Sequence, residues 1–342
     1  VVHVEDIPAR PAQYATPQRD LHPALWRVLR ASGVERLYAH QAAAIDHIRG
    51  GEHTVIVTGT ASGKTLCYNL PVIEAILAEP QTRALYLFPT KALAQDQLRG
   101  LMAFPDSEPE IAFNAGTYDG DTPADLRRKL RDGANVILSN PDMLHQGILP
   151  NHGRWASFFF FFNDTATTEI HTYRGVFGSN VSNVVRRLRR IANHYGAQPT
   201  FVLCSATIHN PVELAQGLIN DEVAAVTSDG APRGPRSFFF LNPAKLDETG
   251  MARRGPHGIA RRLMVELVKR RVQTIAFSRT RLSSEVIHRY CKETLQQRNP
   301  TLAKALRAYR GGYLPEDRRE IERGIKEGKI LGISSTNALE LG

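Results

Sequence analysis

The chain is poor in cysteine, with three, Cys67, Cys204 and Cys291, among 342 residues. They are widely spaced and form no C-x-x-C pair, which argues against a disulfide framework or a zinc site and fits a reducing, cytoplasmic setting. Long apolar runs are missing too. None approaches the ~18 to 20 residues that cross a bilayer, and the N-terminus lacks the charged-then-apolar pattern of a signal peptide. No repeat of solenoid period is visible, and the only low-complexity segment is a run of five phenylalanines at 158 to 162. Acidic residues are outnumbered, 34 Asp and Glu against 43 Lys and Arg, leaving a formal net charge of +9. That balance favours a polyanionic partner, most simply nucleic acid, although many soluble basic proteins bind none. The length suits about two domains, each able to bury a core. The sequence starts at Val1 without a methionine and stops directly after an apolar run, as a fragment would.

What the chain does contain is an alternation of short apolar runs with helix-length amphipathic stretches. The runs are HTVIVT at 53 to 58, ALYLF at 84 to 88, NVILS at 135 to 139, TFVLC at 200 to 204, QTIAF at 273 to 277 and ILGIS at 330 to 334. Each is followed by small or polar residues, as a buried parallel strand ending at a functional loop would be. The fold class is therefore α/β, with parallel strands joined by helical crossovers. Between 178 and 195, Val181, Val184, Val185, Leu188, Ile191 and Ala192 recur at helical spacing. The interleaved Arg186, Arg187, Arg189 and Arg190 then point mostly away from the core, and a solvated basic face accounts for them better than a nucleic-acid contact does. The segment SDGAPRGPR, 228 to 236, is rich in Gly, Pro and charge and reads as an interdomain link. The expected organisation is an extension over 1–24, one domain over 25–228 and a second, incomplete, over 229–342.

The first run leads into GTASGKT at 59 to 65 and then into a helix-like stretch that tolerates Pro71. Strand, glycine loop and helix are the context a phosphate-binding loop requires. Backbone N–H groups around Thr60, Ser62 and Gly63 would surround a β-phosphate, Lys64 would reach the β- and γ-oxygens, and Thr65 would ligate Mg²⁺. The strict spacing is missed at one place, because Thr58 holds the first glycine position.

Further stretches follow in a recognisable order: LYAHQAAAI at 37 to 45, FPTKALAQDQ at 88 to 97, GTYDGDTP at 116 to 123, SNPDMLH at 139 to 145, CSAT at 204 to 207, AFSRTR at 276 to 281, YRGGYLPEDRREIE at 309 to 322 and SSTNALELG at 334 to 342. Together with the phosphate loop they resemble the motifs of superfamily 2 helicases, and more narrowly the bacterial mitomycin-repair helicases related to RecQ-four-like fungal enzymes. The resemblance covers nearly the whole chain and rests on order and spacing rather than on any one motif. It implies tandem RecA-like domains that hydrolyse ATP, with Mg²⁺, while moving on DNA. It assigns Gln41 to the adenine edge and Thr90, Lys91, Asn140, Arg279, Thr336 and Asn337 to the nucleic-acid backbone. Ser205, Ala206 and Thr207 would couple hydrolysis to domain movement. It also implies arginine fingers and a cysteine-rich region beyond position 342. Rival readings are an RNA helicase or restriction-type translocase, a non-catalytic module that binds ATP and nucleic acid, and, more weakly, a small-molecule kinase.

One motif departs from the pattern. The resemblance calls for an aliphatic strand ending in Asp-Glu-x-His, the aspartate holding Mg²⁺ and the glutamate orienting the attacking water. The chain reads FFFFFNDTATTEIH, so Glu169 and His171 are in place while Thr168 stands at the aspartate. Asp164 is too far to substitute, since four residues of extended strand span about 13 Å. A neutral hydroxyl is a weak ligand for Mg²⁺. Three explanations stand: a pseudo-enzyme, a variant that uses threonine, and a segment foreign to the gene. The last is favoured: NDTATTEI resembles the translation of a common sequencing-adapter oligonucleotide and poly-T encodes phenylalanine, while in composition five phenylalanines followed by small polar residues are unlike the aliphatic strand that the resemblance calls for. Phenylalanine and threonine still have strand propensity, so a central strand with bulky rings is expected there.

Overall fold

The computed structural model describes residues 1–206, 208–243, 255–310, 313, 315–336 and 339. By internal contacts the chain divides into a first unit, Pro8–Arg236, and a second, Val1–Ile7 with Ser237–Gly342.

The first unit is built on seven strands: β2 (Thr54–Val57), β3 (Arg83–Leu87), β4 (Ala115–Thr117), β5 (Val136–Ser139), β6 (Phe162–Thr167), β7 (Thr200–Ser205) and β8 (Ala224–Val226), the number β1 being kept for His3–Ile7. Their order is β4-β5-β3-β6-β7-β2-β8, and every pairing is parallel. Parallel pairing needs crossovers, and the helices supply them on both faces. On one face α1 (Pro23–Ala31), α2 (Ala39–Arg49), α3 (Lys64–Ala78) and α4 (Lys91–Ser107) pack Leu25, Ile45, Ile73 and Leu101 against Ile56, Tyr86, Leu138 and Val202. On the other, α5 (Ala124–Gly133), α6 (Pro141–Met143), α7 (Ala156–Phe160), α8 (Gly175–His194) and α9 (Pro211–Ile219) cover Val55, Leu85, Ile137 and Leu203. Successive strand residues therefore enter opposite cores, which is why the strands read as continuous apolar runs. Pro71 sits inside α3 without ending it.

The phenylalanine run takes a different form from the expected strand. Phe158, Phe159 and Phe160 lie in α7, and only Phe162 enters β6. A helical turn lets Phe158 and Phe159 point inward, packed edge-on to Trp155 and stacked on Tyr195 respectively, while Phe160 stays 64% exposed. The strand itself is FNDTAT and carries polar atoms into the sheet. Asp164 is 4% exposed, and the hydroxyls of Thr165 and Thr168 are buried with no partner.

In the second unit β10 (Thr274–Phe277), β11 (Leu306–Tyr309) and β12 (Gly332–Ser335) form a parallel sheet of order β10-β12-β11, and β1 pairs with β9 (Arg236–Phe240). Helices α10 (Pro256–Lys269) and α11 (Arg281–Arg298) bury Val265, Val268, Ile287 and Leu295 against Leu306; α12 (Pro300–Ala303) and α13 (Pro315–Lys326) complete the described helices.

The segment expected as a link, 228 to 236, is held against the first unit. Gly230 accepts from the backbone of Gln13, and Arg233 exchanges two backbone hydrogen bonds with Arg10. Of the expected extension, residues 8 to 24 lie in the first unit, where Leu21 and Ala24 are buried.

Candidate nucleotide and nucleic-acid site

Because the strands of the first sheet are parallel, their C-terminal ends share one edge, and the loops that follow them gather there. Neighbours β6, β7 and β2 bring Thr168 to His171, Ser205 and the phosphate loop side by side, with Val57 level with Ser205 in the β2–β7 register.

The loop 59–63 turns through left-handed φ values of 58° at Ala61 and 78° at Gly63, and α3 starts at Lys64. Inside the turn the hydroxyls of Thr58 and Ser62 lie 2.6 Å apart, both buried. Thr58 thus supplies a brace at the position where glycine was expected. Lys64 Nζ donates to the carbonyls of Thr58 at 3.1 Å and Gly59 at 2.8 Å, which folds the ammonium over the loop. Thr60 is exposed at the crest. Gln41, 2% exposed, accepts from Tyr38 N–H at 2.9 Å and donates to the Gly63 carbonyl at 3.0 Å. One amide proton and one lone pair of Gln41 remain for another partner. Thr65 donates its hydroxyl to Gln97 Oε1 at 3.1 Å, an oxygen that Tyr68 also uses.

Across the edge, Glu169 holds φ 54° and ψ 41°. A side chain in the left-handed region costs on the order of 1 kcal/mol, and such strain collects at functional sites. Its carboxylate lies 3.4 Å from His171 Nδ1, which in turn lies 3.2 Å from Ser205 Oγ. The acid, the histidine and the fully buried Ser205 of the next strand therefore form one connected row. Ala206 follows, half-buried; Thr207 lies outside the described residues.

Thr168 tests the metal. Its N–H donates to Leu87 and its hydroxyl is an orphan, so the side chain offers no charge where one is needed. Among the described residues no group of three or more His, Cys, Asp or Glu is placed to hold a metal ion. Magnesium prefers one or two carboxylates beside phosphate oxygens, and here the chain supplies the Thr65 hydroxyl alone. The loop fits a nucleotide's phosphates; the residues do not fit the family's Mg²⁺ shell.

The residues assigned to nucleic acid fall into two groups. Thr90 caps α4 by accepting from Leu93 N–H, and Lys91, exposed, pairs with Asp121 at 2.7 Å. Asn140 caps α6 through Met143 N–H at 2.8 Å. In the second unit, Arg279 is exposed after β10 and Thr336 is 7% exposed after β12, at the same sheet edge because Phe277 pairs with Ser335. Asn337 lies outside the described residues.

Sequence reasoning missed the residues that hold the phosphate loop from outside. Asp229 Oδ2 accepts from Gly59 N–H at 3.2 Å and pairs with Arg10 at 3.0 Å and Arg233 at 3.6 Å. Burial would raise the Asp229 carboxyl, yet the Ala231 and Gly59 N–H donors and the Arg10 guanidinium hold it below its ordinary value. His40, buried beside them, accepts from Gly230 N–H at 3.1 Å, and burial pushes its imidazole below the usual range. Gln97 did have a signal, standing inside FPTKALAQDQ. Asp229 had none, since 170 positions separate it from Gly59.

A parallel α/β sheet that presents a glycine phosphate loop, an acid and histidine on the second strand over, and a serine bonded to that histidine defines a nucleoside-triphosphate-binding protein of the RecA-like, P-loop class. The DEAD/DEAH box helicase profile matches residues 38–215, and the chain belongs to that family. It is 46% identical, over all of its own length and 45% of the relative's, to the uncharacterized ATP-dependent helicase YprA of Bacillus subtilis. It is 38% identical to the ATP-dependent helicase hrq1 of Schizosaccharomyces pombe, over 98% of this chain and 32% of that one. A crystal structure of the DUF1998 helicase MrfA bound to DNA and AMPPNP superposes with a TM-score of 0.94 at 45% identity, over 100% of this chain and 47% of that one. The chain thus spans less than half the length of each of these three relatives.

Proposed function

We propose that the protein is an ATP-dependent DNA helicase or translocase that serves DNA repair in the cytoplasm. The observation that carries this is the row Glu169–His171–Ser205 set beside the phosphate loop. It joins the group that would orient water to the strand end that would report hydrolysis. Likeness along the whole of this chain, at 45% identity, to a DNA-bound relative supports DNA as the track, and the +9 charge suits a polyanion.

In this reading the loop N–H groups and Lys64 bind the phosphates, Gln41 uses its remaining proton and lone pair on adenine, and Glu169 takes the base role. Movement of the γ-phosphate would be felt by His171 and passed to Ser205, Ala206 and Thr207. Thr90, Lys91, Asn140, Arg279, Thr336 and Asn337 would grip the sugar–phosphate backbone, which gives hold without sequence choice. Any Mg²⁺ would come bound to the nucleotide's own phosphates, because the residues of the chain do not complete its shell.

The orphan hydroxyl of Thr168 favours a second reading, a module that binds ATP and nucleic acid without turnover. Thr168→Asp in the full-length protein separates the two. Restoring a charged ligand is worth several kcal/mol in the transition state, so DNA-stimulated ATP hydrolysis should rise at least about 100-fold, with strand displacement on DNA duplexes. Unchanged hydrolysis supports the binding module, and displacement of matched RNA instead of DNA makes it an RNA helicase.

A further inference from the structure

The phosphate loop is held at both ends by side chains from outside it. At Gly63 the contact is Gln41, so close that a Cβ there would stand 2.6 Å from Gln41 Nε2. At Gly59 it is Asp229 and Arg233, where a Cβ would stand 3.2 Å from the carboxylate and 3.0 Å from the guanidinium. His40 ties the two holders together, because it neighbours Gln41 on α2 and accepts from Gly230 next to Asp229. Asp229 also precedes the boundary between the units at Arg236 and Ser237. The entrance of the loop is thus fastened to the segment that leads into the second unit.

A carboxylate beside a site for a polyanion is unfavourable unless its charge is cancelled. Two guanidiniums do this: Arg10, which also donates to the Ala231 carbonyl at 2.9 Å, and Arg233. The three formal charges sum to +1. Arg10 is itself placed by paired backbone hydrogen bonds with Arg233, so the balance depends on residues 8 to 13 lying along the segment 228 to 236.

We propose that Asp229, neutralised by Arg10 and Arg233, is a charge-balanced tether that positions the phosphate loop for the triphosphate of ATP. Asp229 is a positioning residue, acting through Gly59, and Arg10 tunes affinity by phosphate charge. The inference rests on the loop's being the nucleotide site.

The test is equilibrium binding of a fluorescent non-hydrolysable ATP analogue, of ADP and of adenosine to the full-length protein, which does not require turnover. In Arg10→Gln the formal charge of the cluster falls from +1 to zero, so the triphosphate should bind about tenfold more weakly, the diphosphate less so, and adenosine within about twofold of the wild type. Asp229→Asn keeps an oxygen for Gly59 N–H but leaves both guanidiniums uncancelled, so the triphosphate should bind more tightly than to the wild type, and the double variant Arg10→Gln/Asp229→Asn, back at a sum of +1, should recover to within about threefold of the wild type. The Arg10→Gln deficit should shrink as salt rises. Equal weakening of all three ligands, or a double variant no better than Arg10→Gln, overturns the proposal. Wild-type protein that binds none of the three would instead overturn the nucleotide-site reading.

Discussion

Asp164 puts a carboxyl into the middle of a parallel sheet, between β3 and β7, with Asn163 Nδ2 at 2.8 Å as its hydrogen-bond donor. Burial pushes its pKa up from 3.8 to about 6. The folded state therefore holds a proton that the unfolded chain releases between about pH 4 and pH 6. Stability falls as pH rises through that window and stays low above it, by up to about 3 kcal/mol. Asp164→Val removes both the charge and the slope. Urea unfolding of the full-length protein at pH 5 and pH 8 should give a smaller difference for the variant, and greater stability than wild type at pH 8. An unchanged pH difference would mean that Asp164 stays ionised and solvated. At this scale the sequence announced the oddity of the segment, because NDT interrupts an apolar pattern. It did not announce that Thr165 and Thr168 would be left with orphan hydroxyls, which depends on what lies across the sheet.

The strand-to-helix turn after β6 is the element on which the acid–histidine row hangs. Gly178, on the first turn of α8, approaches the Tyr173 backbone so closely that a Cβ would lie 2.4 Å from its carbonyl oxygen. Since both partners are backbone, α8 or the 169–173 turn must move to admit a side chain. Gly178→Ala should cost about 1 to 3 kcal/mol and displace His171 from Ser205, lowering any ATP hydrolysis restored by Thr168→Asp. Thermal unfolding and ATPase measured on the same sample check both halves, and an unaltered melting temperature would show that the turn yields freely. Periodicity alone located α8 within a few residues, as it did the six apolar strands. The short strands β4, β8 and β11 escaped, since three or four residues seldom form a pattern of their own. The phenylalanine run was expected as strand and folds largely as α7, because Trp155 and Tyr195 offer its rings a place that strand propensity could not foresee.

Over the whole molecule the positive charge is partly spoken for. Arg189 pairs with Asp221 and Arg187 donates to His145, while Arg186 and Arg190 remain exposed on α8. Lys91 is exposed and shares its charge with Asp121. If it neutralises one phosphate, Lys91→Ala should weaken single-stranded DNA binding uniformly across sequences. It should also make the slope of log K against log salt shallower by about 0.7. A titration of the full-length protein from low to moderate salt measures this, and an unaltered slope would remove Lys91 from the track.

The sequence by itself determined the α/β class, the phosphate loop and the order of motifs along the chain, because strand runs, glycine turns and helix spacing are local. Tertiary structure decided which of those motifs touch. His171 meets Ser205, Gln41 meets Gly63, and Asp229 meets Gly59 only once parallel strands far apart in sequence are laid side by side, and their crossovers set at one sheet edge. Local pattern carries no record of such pairings, because each joins residues that only the folded sheet edge brings within hydrogen-bond reach.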